Sequence, residues 1–156
     1  MRIADLVIPE RVRLEGGITS KKRALEVLGS LLADDLEPDS SLPANLVFDA
    51  LSAREKLGST GLGHGVAIPH GRMPEIDAAR VAVVRLQEGV DFEAIDHEPV
   101  DILIGLIVPE AATGEHLELL AELARALSQP ANIAAIRRAP DTPALHQAVV
   151  GAFGNA

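Results

Sequence analysis

The chain has 156 residues, nearly half of them apolar but only three aromatic, all Phe, so its core is expected to be built from Leu, Val, Ile and Ala. The lack of cysteine excludes disulfide frameworks and thiolate zinc sites. A formal charge of -9, from 14 basic and 23 acidic side chains, opposes nucleic acid and anionic membrane surfaces as partners and favours a basic protein. No stretch approaches the ~20 apolar residues of a membrane span and the opening residues carry no apolar run of a signal peptide, so a cytoplasmic protein is expected.

Residues 1–14 carry Ile3, Leu6, Val7, Ile8, Val12 and Leu14 among charges, a weak strand or turn signal. Thr19 or Ser20 then caps a helix, KKRALEVLGSLLADD, with Ala24, Leu28, Leu31 and Leu32 on one face. Pro38-Asp39-Ser40 breaks it, and Ser41-Leu42-Pro43 opens a second helix, with Pro tolerated in its first turn. That helix runs through Leu46, Val47, Ala50 and Leu51 to about Arg54. Beyond a glycine-rich stretch, a turn is expected over Gly71 to Asp77, a strand over Arg80 to Leu86 and another turn at Gln87-Glu88-Gly89. Val100 to Val108 is almost continuously apolar, the pattern of a strand buried on both faces, and Pro109 ends it. A helix follows from Thr113 through Leu117, Leu120, Ala121 and Ala124, then two shorter ones over Pro130 to Arg138 and Thr142 to Val150. The pattern predicts one α/β domain over residues 1–156, a small mixed sheet flanked by helices.

The chemistry concentrates between Arg54 and Arg72. REKLGSTGLGHGVAIPHGR packs five glycines, two histidines and three basic residues into nineteen positions. Glycine loses the most backbone entropy on folding and buries no side chain, so core building does not explain it. A turn whose N–H groups face a phosphate does, with Ser59, Thr60, Gly61, Gly63, His64 and Gly65 as candidates to line it. Pro69 biases Ile68 toward an extended backbone, and Gly71 leaves the approach to His70 open. An imidazole there is largely neutral near pH 7 and able to attack phosphorus. The plainer alternative is a turn histidine donating to a backbone carbonyl. Arg54 offers a guanidinium fork for phosphoryl oxygens, or simple charge complementarity at a helix C-terminus. With Thr113 as N-cap, His116 lies in the first helical turn, where the dipole favours a neutral ring. Its alternative is a surface histidine beside the Leu117 and Leu120 stripe. A metal set of His64, His70 and His116 lacks a carboxylate at ligand spacing, so no metal or cofactor is assigned. His97 and His146 read as surface residues.

LGSTGLGHGVAIPHG strongly resembles the active-site motif of phosphotransferase-system enzyme IIA domains of the fructose, mannitol and nitrogen-regulatory class. The similarity continues through the Arg54-Glu55 step, VDILIGLIVPE and EHLELLAELARAL, and covers most of the chain. The resemblance implies that His70 accepts a phosphoryl group from a phosphohistidine carrier, HPr or its nitrogen-branch relative, with His116 and Arg54 beside it. His64 departs from the pattern, which often has Asn there. The opening IADLVIPERVRLEGGITSKKRALEVL is similar to the nitrogen-regulatory branch, whose members end the relay and act on regulatory partners such as potassium-transport and stress-signalling proteins. The alternatives are a stand-alone sugar-specific IIA passing phosphate to a IIB domain during uptake, and a non-catalytic regulatory binding domain of the same fold. Histidine phosphatases also form phosphohistidine, but they place Arg before the His-Gly pair, where this chain has Pro69.

Overall fold

Alternation along two central strands decides the architecture. In the computed structural model, which describes residues 2–33 and 42–154, β5 (Arg80–Val90) and β6 (Val100–Pro109) pair antiparallel. Successive side chains of a strand point to opposite faces. Val81, Val83, Ile102, Ile104, Leu106 and Val108 therefore enter one core, while Ala82, Val84, Leu86, Leu103 and Ile107 enter another. A sheet apolar on both faces requires helices on both. α2 (Lys21–Ala33) and α3 (Ala44–Glu55) cover one side. α1 (Ile3–Leu6), α4 (Thr113–Ala126), α5 (Pro130–Arg138) and α6 (Thr142–Gly154) cover the other. The mixed α/β domain expected from the sequence is thus a sandwich of helices, sheet and helices. No helix among the described residues is long and apolar enough to cross a membrane.

The sheet runs β1-β5-β6-β3-β2, with β4 also paired to β6. β1 (Val12–Glu15) lies parallel to β5, and β2 (Gly61–Gly63) forms a small antiparallel hairpin with β3 (Val66–Ala67). β3 and β4 (His70–Met73) both run parallel to β6, with Ala67 opposite Leu103 and His70 opposite Leu106. The register is the same on both sides of the gap. The two strands are one line interrupted at Ile68-Pro69, where Pro69 lacks an N–H to donate. Its carbonyl still accepts the Leu106 N–H at 3.0 Å. Among the described residues β4 has no strand neighbour but β6, so it forms an open edge of the sheet.

Ser20 caps α2: its Oγ accepts the Arg23 N–H at 3.1 Å, and Ala24, Leu28, Leu31 and Leu32 are buried as their spacing predicts. The break expected at Pro38-Asp39-Ser40, and Ser41, lie outside the described residues. The strand or turn expected over residues 1–14 is present as a 3-10 turn at Pro9–Arg11 and a strand from Val12, preceded by a short helix over Ile3–Leu6 that was not expected. Other expectations are corrected. Gln87-Glu88-Gly89 is not a turn; β5 continues through it to Val90, with a register shift between Arg85 and Val90. The segment from Gly71 begins in strand because β6 offers ladder partners from Leu106 to Pro109. α3 starts at Ala44, leaving Pro43 in the N-cap position. On α4 the buried row is Leu119, Leu123 and Leu127, whereas Leu117, Ala121 and Ala124 are exposed. The sequence offers two overlapping leucine rows, and packing on the sheet selects one.

Gly105 of β6 shows how closely α2 sits. A Cβ added there would lie 2.7 Å from Leu28 Cδ2 and 2.8 Å from its Cγ, and Leu28 is fully buried. Gly105→Val is therefore expected to cost about 1–3 kcal/mol by overpacking. Urea unfolding checks this as a lowered midpoint at unchanged slope.

Candidate phosphoryl site at the sheet edge

His70 opens β4, and the ladder dictates where its side chain goes. Its neighbour Leu106 belongs to the core on the α4 side, so the imidazole emerges on that side. Gly71, opposite Ile107, turns to the α3 side, where an added Cβ would lie 3.4 Å from Ala50 Cβ. The bareness of Gly71 lets α3 pack closely against the strand. Gly71 also lines the cavity that holds His70, as the open approach expected of it requires.

The His70 ring is buried, 8 % exposed, and its Nδ1 lies 2.8 Å from the Ile68 carbonyl oxygen. A carbonyl only accepts, so Nδ1 carries the proton and the neutral ring keeps its lone pair on Nε2. The carbonyl contact that read as the plain alternative to a nucleophile thus prepares one.

His116 comes from α4, the helix layer on the same face as the His70 ring. It is the fourth residue of α4, and its amide donates to the Ala112 carbonyl at 2.9 Å, so Ala112 and not Thr113 holds the N-cap position. The two imidazole centroids are 5.4 Å apart, with planes tilted by 57°. Nδ1 of His116 is buried and finds no hydrogen-bond partner among the described residues. Arg54 arrives from the last turn of α3, and its Nη1 donates to the Gly58 carbonyl at 2.8 Å. His70, His116, Arg54, Arg72, Leu57 and Glu110 line a cavity of about 380 Å³. The three residues expected to act together are brought together, one from each of three elements.

Glu55, beside Arg54, holds the loop in place. It is buried, and its carboxylate accepts the Thr60 N–H at 3.2 Å and a hydrogen bond from the Thr60 hydroxyl. Lys21 at the start of α2 reaches it at 2.9 Å, and the same ammonium sits 4.6 Å above the Phe92 ring. A paired, hydrogen-bonded carboxylate is the form in which a buried charge is tolerated. Loop 56–60 is thereby tied down, and its Gly58 carbonyl is what Arg54 grips.

Both histidines are held below the ordinary imidazole value. For His70 the main cause is burial; the Ile68 carbonyl opposes it, the Arg54 charge adds to it, and Glu55 opposes it. For His116 burial again leads, followed by the charges of His70 and Arg72. The neutral state expected of His116 from the helix dipole is thus favoured chiefly by burial.

The glycine-rich turn lies elsewhere. The Ser59 hydroxyl donates to the Phe92 carbonyl at 2.7 Å and accepts the Gly61 N–H at 3.1 Å. Gly61 packs on Ala94, and Gly63 adopts a left-handed φ of 94° facing Asp96. The His64 N–H donates to Asp96 at 2.9 Å, and its carbonyl accepts Arg137 Nη2 at 3.0 Å. His64 and Gly65 line a second hollow with Glu98, Asp101 and Arg137. Val66, just beyond them, is four residues before His70, about 13 Å along a strand. The amides at Thr60, Gly61 and His64 are thus committed to protein acceptors, and none of the six turn candidates lines the His70 cavity. The same separation keeps His64 from joining His70 and His116 around a metal. His97 is exposed in a loop. His146 is not a plain surface residue: half-buried, it donates from Nε2 to the Val7 carbonyl at 3.1 Å and docks α6 on the N-terminal segment.

Sequence reading missed Arg72, Glu110 and the anchoring role of Glu55. Arg72 had a signal: two residues beyond His70, it shares a face with it once the segment is read as strand. The partnership of Glu55 with Lys21 had none, being purely tertiary.

The depressed histidines give a signed pH dependence. Below about pH 6.5 the unfolded chain takes up protons that the folded one resists, so stability falls as pH falls. Above it both states hold neutral rings and the effect vanishes. Urea unfolding at pH 7.5 and pH 5.5 is expected to show a stability loss on acidification that shrinks in the His70→Gln, His116→Gln double variant.

The sequence profile of the family described as phosphoenolpyruvate-dependent sugar phosphotransferase system, EIIA 2, matches residues 6–150. A nitrogen regulatory protein of Pseudomonas aeruginosa is 45% identical over 152 residues, covering 96% of both chains. The crystal structure of nitrogen regulatory protein IIA-Ntr from Neisseria meningitidis superposes with a TM-score of 0.83 at 41% identity, covering 94% of this chain and 98% of that one. The mannitol IIA of Escherichia coli, solved in complex with its phosphorylated IIB enzyme, shares the fold with a TM-score of 0.70 at 22% identity, covering 91% of this chain and 95% of its own. The profile match and these identities establish that the chain belongs to the enzyme IIA family, type 2, of the phosphoenolpyruvate-dependent phosphotransferase system.

Proposed function

We propose that this protein is a phosphoryl carrier that accepts a phosphoryl group on Nε2 of His70 from a phosphohistidine carrier of the HPr type, and that it acts as a regulatory output of the nitrogen-related branch. The observation that carries the reading is the Nδ1–H bond of His70 to the Ile68 carbonyl, in a ring that lines the same cavity as Arg54 and His116. The Nε2 lone pair attacks phosphorus while the P–N bond of the donor phosphohistidine breaks, its electron pair returning to the donor imidazole. Each ring keeps its other N–H throughout, so no proton needs to move. The task of the site is to position the rings in line and to meet the charge on the equatorial oxygens. Arg54 supplies a permanent cation, and His116 a neutral N–H donor whose low basicity keeps it from adding repulsion to the imidazolium character of phosphorylated His70.

The donor's chemistry fits the rim. Leu57 is 84% exposed on the loop beside Arg54, and Leu117 is 63% exposed next to His116. Large apolar side chains left in water on both sides of a cavity suit an incoming protein surface, not a hydroxyl-rich small substrate. The nitrogen-regulatory names of the relatives support the regulatory branch over a sugar-specific IIA. Onward transfer separates the two, because a sugar-specific IIA passes the group to a IIB protein and a regulatory one retains it.

Incubation with a phosphorylated HPr-type carrier is expected to add one acid-labile phosphoryl group, seen as a mass shift, that is absent in His70→Gln. Arg54→Gln is expected to slow its appearance by about 100-fold, the usual effect of losing one preorganised charge contact. Undiminished labelling of His70→Gln would refute the assignment.

A further inference from the structure

We propose that Arg72 is a second cation of the phosphoryl site, meeting the transferred group from the strand while Arg54 meets it from α3. The inference rests on the reading of His70 as acceptor and adds a residue to it. On β4, His70 and Arg72 stand opposite Leu106 and Val108, both members of the core on the α4 side. The two side chains therefore leave the strand on one face, with only Gly71 between them in sequence. Arg72 lines the same cavity as His70, His116 and Arg54. Its charge bears on the His116 ring, which it helps to hold below the ordinary imidazole value.

Charge balance gives these positions a purpose. Of the charged side chains around the cavity, Arg54 and Arg72 are cationic and Glu110 anionic. The carboxylate behind them, Glu55, is compensated by Lys21 at 2.9 Å. The cavity thus keeps a positive excess on a chain whose formal charge is -9. An incoming phosphoryl group carries negative charge on three oxygens, and during transfer, as the donor P–N bond breaks and the His70 Nε2–P bond forms, that charge stays on them. Arg54 is anchored on the Gly58 carbonyl, and Arg72 is an exposed side chain lining the same cavity. The two guanidiniums come to it from different elements, α3 and β4.

The test uses phosphoramidate, a small phosphoryl donor with no docking surface, on wild type, Arg72→Gln, Arg72→Lys and a His70→Gln blank. Fold is checked by thermal unfolding. Phosphorylation of His70 is expected to slow about 10- to 100-fold in Arg72→Gln and to recover most of that loss in Arg72→Lys, as for a charge-assisted contact. The His116 titration, followed by proton NMR, is expected to move upward in Arg72→Gln, with Arg54, His70, Glu110 and the adjacent Glu115 unchanged around it. If wild type is labelled on His70 and Arg72→Gln is labelled as fast, Arg72 is not a ligand and the acceptor reading survives. Slowing that is equal in the Lys variant and leaves the His116 titration unmoved also overturns the proposal, by indicating a structural role. If wild type takes up no phosphoryl group on His70 from this donor, both the proposal and the reading beneath it fall.

Discussion

The site depends on one hydrogen bond, from His70 Nδ1 to the carbonyl of Ile68, two residues back on the same chain. A neutral imidazole has one donor and one acceptor nitrogen, and which is which follows from the bond that one of them makes. Giving the proton to the inner nitrogen leaves the outer one nucleophilic without a separate base. The bond is available because alternation along the strand turns Ile68 away from β6: its amide donates to the Thr60 carbonyl, while the Pro69 carbonyl is the one that accepts from Leu106. Strand direction at one residue therefore sets the chemistry of a neighbouring side chain.

Around that bond the fold brings groups from two helical layers to the rim of a sheet. α3 and α4 lie on opposite faces, and at the open edge strand the end of one and the start of the other reach the cavity of the same side chain. An edge strand is usually a liability because it invites pairing with other chains. Here β4 is short, and it carries Arg72 beside the buried His70. The Glu55 carboxylate supports the α3 half from behind. It gathers Lys21 and Thr60 and fixes the loop whose Gly58 carbonyl holds Arg54. Loss of Lys21 would leave a buried charge without its partner, and loss of Glu55 would free the loop. The network therefore acts on the site through Arg54 and through its charge near His70.

Much of this was legible in the sequence, and the failures have physical causes. The continuous apolar run from Val100 to Val108 announced a strand buried on both faces, and the capped row of Ala24, Leu28, Leu31 and Leu32 announced a helix. Both were local patterns. The site triad of Arg54, His70 and His116 was named through resemblance, since residues in three separate elements carry no spacing signal of their own. The glycine-rich turn misled because glycine density has more than one use: Gly61 admits Ala94, and Gly63 supplies a left-handed turn. Neither use brings the turn to the cavity that holds His70. Gly71 was read as an opening beside His70; it does line that cavity, and its missing Cβ also lets α3 approach at Ala50. The strand at His70–Met73 was hidden because its pairing partner, β6, lies thirty-odd residues on, and nothing local in His-Gly-Arg-Met favours an extended backbone over a turn.

The most direct measurement of the central claim is the tautomer of His70 in the unphosphorylated protein, read by long-range proton–nitrogen correlation NMR at neutral pH. The account predicts a proton on Nδ1 and a bare, deprotonated Nε2, with the pattern lost when the ring is replaced by Gln. A His70 ring carrying its proton on Nε2 would contradict it, because the nitrogen assigned to attack phosphorus would then have no lone pair to give.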